Sequence, residues 1–170
     1  SNHAPDTETT RNGLHMITDL LPPGAVLHGV SAADKPALLA TLAQHAAQFC
    51  GIDAARIADA MTAREALGTT GFGGGIAIPH ARLAGLDHMV AVLATLAPPV
   101  DYGALDGERV DLVVLLLAPV EAGAEPLKAL ARISRLLRDA ALVEKLRAAP
   151  SVEALAKLLG VDAAAQDRAA

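Results

Sequence analysis

The chain has 170 residues and a formal net charge of −5; 52% of it is hydrophobic but only 2% is aromatic. That length suits one domain with a sizeable core, which has to be built from Leu, Val, Ile and Ala. The acidic balance argues against nucleic-acid binding, no apolar run approaches the roughly 20 residues of a membrane span, and the single cysteine, Cys50, rules out an internal disulfide and fits a reducing cytosol.

Residues 1–15 are polar and show no signal-peptide core; they read as an extension outside the fold, disordered or left from cloning. Residues 16–24 read as a short apolar turn or 3₁₀ piece, stopped by Pro22-Pro23-Gly24. Residues 25–30 predict a strand, with Val26 and Val30 alternating against an exposed His28. Asp34 is placed to cap a helix with Pro36 in its first turn, reaching Cys50 and burying Leu38, Leu39, Leu42, Ala46 and Phe49. Cys50 reads as a packing thiol rather than a nucleophile. Gly51 ends that helix, and Asp53 caps the next, over 54–67, which brings Arg64 near its last turn.

A glycine-rich stretch, Gly68-Thr69-Thr70-Gly71-Phe72-Gly73-Gly74-Gly75, reads as a loop and leads into the short apolar run Ile76-Ala77-Ile78. Pro79 makes the residue before it extended, so His80 falls at the mouth of a strand. The stretch lacks G-x-x-x-x-G-K-[ST], and its helix precedes the glycines, so it is neither a nucleotide P-loop nor a dinucleotide fingerprint. A histidine facing glycines, with Arg64 before it and Arg82 after it, suits an anion or a phosphoryl group, because imidazole is base, nucleophile or metal ligand near neutral pH. On spacing alone the reading of His80 is balanced between a functional residue and one merely satisfied by its surroundings. An arginine in a last helical turn can equally serve its own helix's carbonyls.

Residues 89–96 predict a strand, preceded by His88 in a loop and interrupted by Pro98-Pro99; residues 100–107 form a turn-rich connector containing Tyr102. Residues 110–118 are almost continuously apolar, as expected of a central strand covered on both faces. Pro126 lies in the first turn of a helix with Leu127, Leu130, Ser134 and Leu137 on one face, widened by Ile133 and Leu136. Lys128, Arg132 and Arg135 form a second face, read first as solvated and second as a docking surface for an acidic partner. Helices over 140–148 and 152–159 follow, the second capped by Ser151 and ended by Gly160, and 161–170 is expected to fray. The order β-α-α-β-β-β-α-α-α groups its elements rather than alternating them, which predicts an α+β fold with a mixed sheet.

Arg64-Glu65, Gly68-Thr69-Thr70-Gly71 and Gly75-Ile76-Ala77-Ile78-Pro79-His80 resemble the active-site signature of enzyme IIA domains of the mannitol/fructose type. These domains belong to the bacterial phosphoenolpyruvate-dependent phosphotransferase system, and the nitrogen-regulatory branch is the most similar. Leu105-Asp106-Gly107 and the block from Leu127 to Arg138 fit as well, so the likeness covers residues 16 to about 159. The resemblance implies a three-layer α/β/α sandwich with a mixed central sheet. It implies a cytoplasmic phosphocarrier, a phosphotransferase component rather than a free-standing enzyme, that is phosphorylated on His80 by an HPr-like phosphocarrier protein. It implies Arg64 in the phosphate site. The partner downstream would be a regulated target protein or a sugar-specific IIB component. Family members usually carry a second histidine just before the Leu-Lys-Ala-Leu helix; Pro126 stands there in this chain.

Phosphoryl transfer requires an in-line nucleophile and charge stabilisation on the equatorial oxygens. Imidazole, with an ordinary pKa near 6.5, qualifies if one ring nitrogen is pinned as a donor and the other left free; a backbone carbonyl in the glycine-rich loop is the expected pin. The expected phosphate donors are Arg64, the Thr69 or Thr70 hydroxyl and the backbone N–H groups of Gly73, Gly74 and Gly75, with Arg82 a weaker candidate. No metal and no cofactor are expected, nor nucleic-acid binding or membrane insertion. The rival readings are a fructose- or mannitol-specific IIA and an interaction module without phosphotransfer.

Overall fold

The computed structural model describes Leu14 and residues 16–161. The expected N-terminal extension and frayed tail therefore lie, Leu14 and Val161 apart, outside the described residues. The described chain runs α1 (residues 16–20), β1 (Val26–Val30), α2 (Lys35–Cys50), α3 (Ala54–Ala66), β2 (Gly71–Gly73), β3 (Ile76–Ala77), β4 (His80–Leu83), β5 (Val90–Val100), β6 (Val110–Pro119), α4 (Glu125–Leu136), α5 (Ala140–Ala148) and α6 (Val152–Leu159). Side-chain caps start four of the helices. Asp34 accepts from the Ala37 N–H at 2.9 Å, Asp53 from Ala55 at 3.2 Å, Asp139 from Leu142 at 3.2 Å and Ser151 from Ala154 at 3.1 Å. Each satisfies one of the N–H groups that a helix start leaves unpaired.

The sheet is mixed, in the order β1-β5-β6-β3-β2, with β4 also paired to β6. β5 runs antiparallel to β6, whereas β3 and β4 lie end to end along its other edge, both parallel to it. Alternate side chains of β6 point to opposite faces, and residues 112–117 are all buried. Helices thus cover both faces, and the architecture is a three-layer α/β/α sandwich. Among the described residues no helix is long and apolar enough to cross a membrane.

Four local expectations change. Residues 16–20 are α-helical, not a turn. The glycine-rich stretch is not one loop: β2 and β3 form a hairpin whose two-residue turn, Gly74-Gly75, has φ of +66° and +78°, the left-handed pair that such turns demand. Pro98-Pro99 does not interrupt β5, which continues to Val100 with a cis bond at Ala97–Pro98. The ladder to β6 lapses between Thr95 and Val100, and residues 97–99 are exposed, so the missing proline N–H groups break no pairing. Finally, α4 buries Pro126, Ala129, Ile133 and Leu136, while Leu127 is 66% exposed. The helix is turned by about one residue from the predicted face, because Pro126 itself packs inward.

The centre of β6 carries the packing that positions everything else. Leu115→Ala, at a fully buried site, is expected to lower the unfolding free energy by about 2–5 kcal/mol in urea denaturation; a loss under about 1 kcal/mol would contradict a tightly packed central strand.

Candidate functional site

His80 is the first residue of β4, set against Leu116 of β6 by parallel pairing. The Leu116 N–H donates to the Pro79 carbonyl at 3.0 Å, and the Ile78 N–H donates to the Thr70 carbonyl at 3.1 Å, so the approach to the histidine is fixed on both sides. The ring is half-buried. Its Nδ1 lies 2.9 Å from the Ile78 carbonyl oxygen. A carbonyl only accepts, so Nδ1 carries the proton and Nε2 carries the lone pair. On the other side, Arg64 Nε–H donates to His80 Nε2 at 3.2 Å. A guanidinium only donates, which requires the same tautomer. Two independent partners therefore agree on which nitrogen carries the lone pair.

Arg64 sits in the last turn of α3 and also donates from Nη1 to the Gly68 carbonyl at 2.8 Å. Its neighbour Glu65 points the other way, with a side chain 5% exposed. There Lys35 Nζ lies 2.6 Å from Glu65 Oε2, and the Thr70 N–H donates to the same oxygen at 3.1 Å. The Thr70 hydroxyl donates to Oε1, and the Tyr102 hydroxyl lies 3.0 Å from it. Lys35 Nζ also stands 4.3 Å above the centre of the Tyr102 ring, within cation–π range. Burial by itself would raise the Glu65 pKa, but the hydrogen bonds from Lys35, Thr70 and Tyr102 outweigh it and hold the carboxyl below its usual range. Burial, aided by the Glu65 charge, pushes the Tyr102 phenol up. This cluster joins α2, the end of α3, the start of the hairpin and the connector before β6. It fixes the helix end from which Arg64 reaches His80.

His80 and Arg82 line one side of an open depression of about 380 Å³, with α3 and the start of α4 as its walls. Leu67 and Leu127 stand on the two walls, 85% and 66% exposed. Pro126 also lines it and offers neither charge nor N–H. Arg82 is exposed and donates from Nη2 to the Gly123 carbonyl at 2.7 Å.

Of the residues expected around a phosphate, the structure brings Arg64 to His80. Thr70 is nearby but buried, its hydroxyl taken up by Glu65 and Tyr102. The Thr69 hydroxyl accepts the Gly71 N–H at 3.1 Å. Gly73, Gly74 and Gly75 are not brought to His80. β3 meets β6 at Leu112 and His80 meets it at Leu116, four residues or roughly 13 Å further along. At that distant end the Gly74 N–H donates to Asp106 at 2.9 Å, its carbonyl accepts from Arg147, and a Cβ on Gly75 would come within 3.0 Å of Asp111. The carbonyl that pins the imidazole belongs to Ile78, beyond the glycines. Lys35 and Tyr102 were not legible as site residues. The one available hint was that Tyr102 is the only tyrosine in a chain poor in aromatics. The other described histidines lie elsewhere: His28 Nε2 is 2.9 Å from the Ala149 carbonyl, His45 lies within α2, and His88 is exposed and contacts Asp87. Burial pushes the Cys50 thiol up, as befits a packing residue.

The profile of the family "phosphoenolpyruvate-dependent sugar phosphotransferase system, EIIA 2" matches residues 19–160. A nitrogen regulatory protein of Bradyrhizobium diazoefficiens is 44% identical over 145 residues, covering 85% of this chain and 95% of that protein. One from Pseudomonas aeruginosa is 40% identical, covering 84% and 94%. The crystal structure of the nitrogen regulatory protein IIA-Ntr from Neisseria meningitidis superposes with a TM-score of 0.79 at 28% identity, covering 85% of this chain and 99% of that one.

Because the Glu65 pKa is lowered on folding from its ordinary 4.5, the unfolded chain takes up the proton more readily. The carboxylate's contribution is complete above about pH 4.5 and is lost as pH falls through the folded-state value. Glu65→Gln is expected to cost about 1–3 kcal/mol at pH 7 and to flatten the acid limb of a plot of Tm against pH. Parallel acid limbs for the two proteins would show that the cluster does not hold an ionised Glu65.

Proposed function

Because the chain belongs to the EIIA 2 family of the phosphoenolpyruvate-dependent sugar phosphotransferase system, we propose that it is a cytoplasmic phosphocarrier of the nitrogen-regulatory type. It accepts a phosphoryl group on Nε2 of His80 from an HPr-like histidine phosphocarrier and signals to a regulated target through its phosphorylation state. The observation that carries this reading is the pair of hydrogen bonds that leaves the lone pair of His80 on Nε2, facing a depression open to a partner.

The transfer moves a PO₃⁻ unit. The Nε2 lone pair forms the new P–N bond as the donor's P–N bond breaks, and that electron pair returns to the donor's ring. His80 keeps its Nδ1 proton, so its ring gains positive charge as the bond forms. The Ile78 carbonyl, already 2.9 Å from that N–H, stabilises the change as a charge-assisted hydrogen bond. Arg64 Nε–H occupies the lone pair in the resting protein, so it turns from Nε2 onto the phosphoryl oxygens as the donor arrives. A planar guanidinium suits that exchange because it meets two oxygens at once. The exposed Leu67 and Leu127 provide apolar rims against which a partner surface excludes water, strengthening the interactions inside. Thr70 and the Gly73–Gly75 turn serve the phosphate only indirectly, by holding the hairpin that leads to Ile78, whereas the Thr69 hydroxyl accepts from Gly71 and keeps its own proton to donate.

Intact mass after incubation with phosphoenolpyruvate, enzyme I and the carrier tests this. The wild type should gain one phosphoryl group and His80→Ala none. Equal labelling of both would remove His80 as acceptor, and an unlabelled wild type would leave an interaction module. Arg64→Lys should still be labelled, but about 10- to 100-fold more slowly, because the flexible ammonium replaces a two-pronged donor. Unchanged kinetics would place Arg64 outside the transfer.

A further inference from the structure

We infer that Arg82 is a second cation for the phosphoryl group on His80, gripping it from the side opposite Arg64. The inference rests on the reading of His80 as the acceptor. His80 and Arg82 are two residues apart on β4, paired with Leu116 and Ala118 of β6. Their side chains therefore leave the same face of the strand, with Cα atoms about 7 Å apart, a gap that an arginine side chain spans. Both line the depression, together with Leu116 and Ala118.

Charge singles out the same residue. The lining of the depression contains two basic side chains, Arg64 and Arg82, and no acidic one. Among the described residues neither Arg64 nor Arg82 has a carboxylate within ion-pair distance. Each instead donates to a neutral backbone carbonyl, Gly68 for Arg64 and Gly123 for Arg82. The depression thus holds two uncompensated guanidinium groups beside the His80 ring, an arrangement that favours an anion. A phosphoryl group brings close to two negative charges, and Arg64 balances one of them. On the facing wall Pro126 offers neither an N–H nor a charge. Arg82 forms and breaks no covalent bond. It exchanges the Gly123 carbonyl for a phosphoryl oxygen, and a hydrogen bond to a charged acceptor is the stronger of the two.

Wild type, Arg82→Gln and Arg82→Lys are compared with the same carrier held limiting, and the phosphorylated proteins are titrated by ³¹P NMR. Arg82→Gln is expected to slow transfer by about tenfold, the loss typical of one charge-assisted hydrogen bond, and to move the phosphoryl titration midpoint upward. Arg82→Lys should restore most of the rate and the midpoint, and the Tm of all three should agree, since the side chain is exposed. An unchanged rate and midpoint in Arg82→Gln would overturn the inference while leaving His80 as acceptor. Slower transfer with an unchanged midpoint would overturn it too, assigning Arg82 to docking of the carrier. A wild type that takes no label would remove the acceptor reading itself, and the inference with it.

Discussion

The hydrogen bond from His80 Nδ1–H to the Ile78 carbonyl is the contact on which the proposed phosphoryl transfer depends. Imidazole in water exchanges its single proton between two nitrogens, and a nucleophile that spends part of its time protonated at the attacking atom is that much weaker. Here the backbone makes the choice. Pro79 has no N–H to compete for local partners, the residue before it is held extended, and the pairing of β4 with β6 sets the ring beside a carbonyl two residues upstream. The tautomer is therefore a consequence of strand register. Any change that slips β4 along β6 also moves the proton.

Arg64 depends on a different set of forces. An arginine in a last helical turn is ordinarily mobile, with solvent and its own helix's carbonyls competing for its donors. Its direction is set here by the residue after it. Glu65 is buried, ionised and hydrogen-bonded by three side chains from three other segments. Removing one partner of such a cluster leaves a charge stranded away from water, which is costly. The end of α3 is consequently anchored, and Arg64 leaves it toward His80 while its Nη1 is held by Gly68. The polar cluster does not touch His80 Nε2; it determines where the guanidinium that does touch it can be.

The sequence made legible what local rules and short spacing control. Asp34, Asp53 and Ser151 were readable as caps, residues 110–118 as a central strand, and the mixed sheet from the grouping of elements. Arg64 and His80 were readable as a pair through the resemblance, sixteen positions apart. What escaped is controlled by register and by distant contacts. Nothing in Gly73-Gly74-Gly75 reveals that its hairpin points its turn toward Asp106 and Asp111, one end of β6 away from His80. The Lys35–Glu65–Tyr102 contact joins residues up to 67 positions apart, and its members look like ordinary surface, helix-end and connector residues when read singly. The inward face of α4 is displaced from the stripe that starts at Leu127, because burial of Pro126 turns the helix so that Leu127 faces the opening.

In the proposed transfer one ring nitrogen of His80 is reserved for phosphorus and the other for a proton. Long-range ¹H–¹⁵N correlation of the His80 ring, recorded before and after phosphorylation of ¹⁵N-labelled protein, measures it directly. The expected spectrum shows the Nδ1–H tautomer in the free protein and ³¹P–¹⁵N coupling to Nε2 in the phosphorylated one. A free ring protonated on Nε2, or a phosphoryl group coupled to Nδ1, would contradict the account.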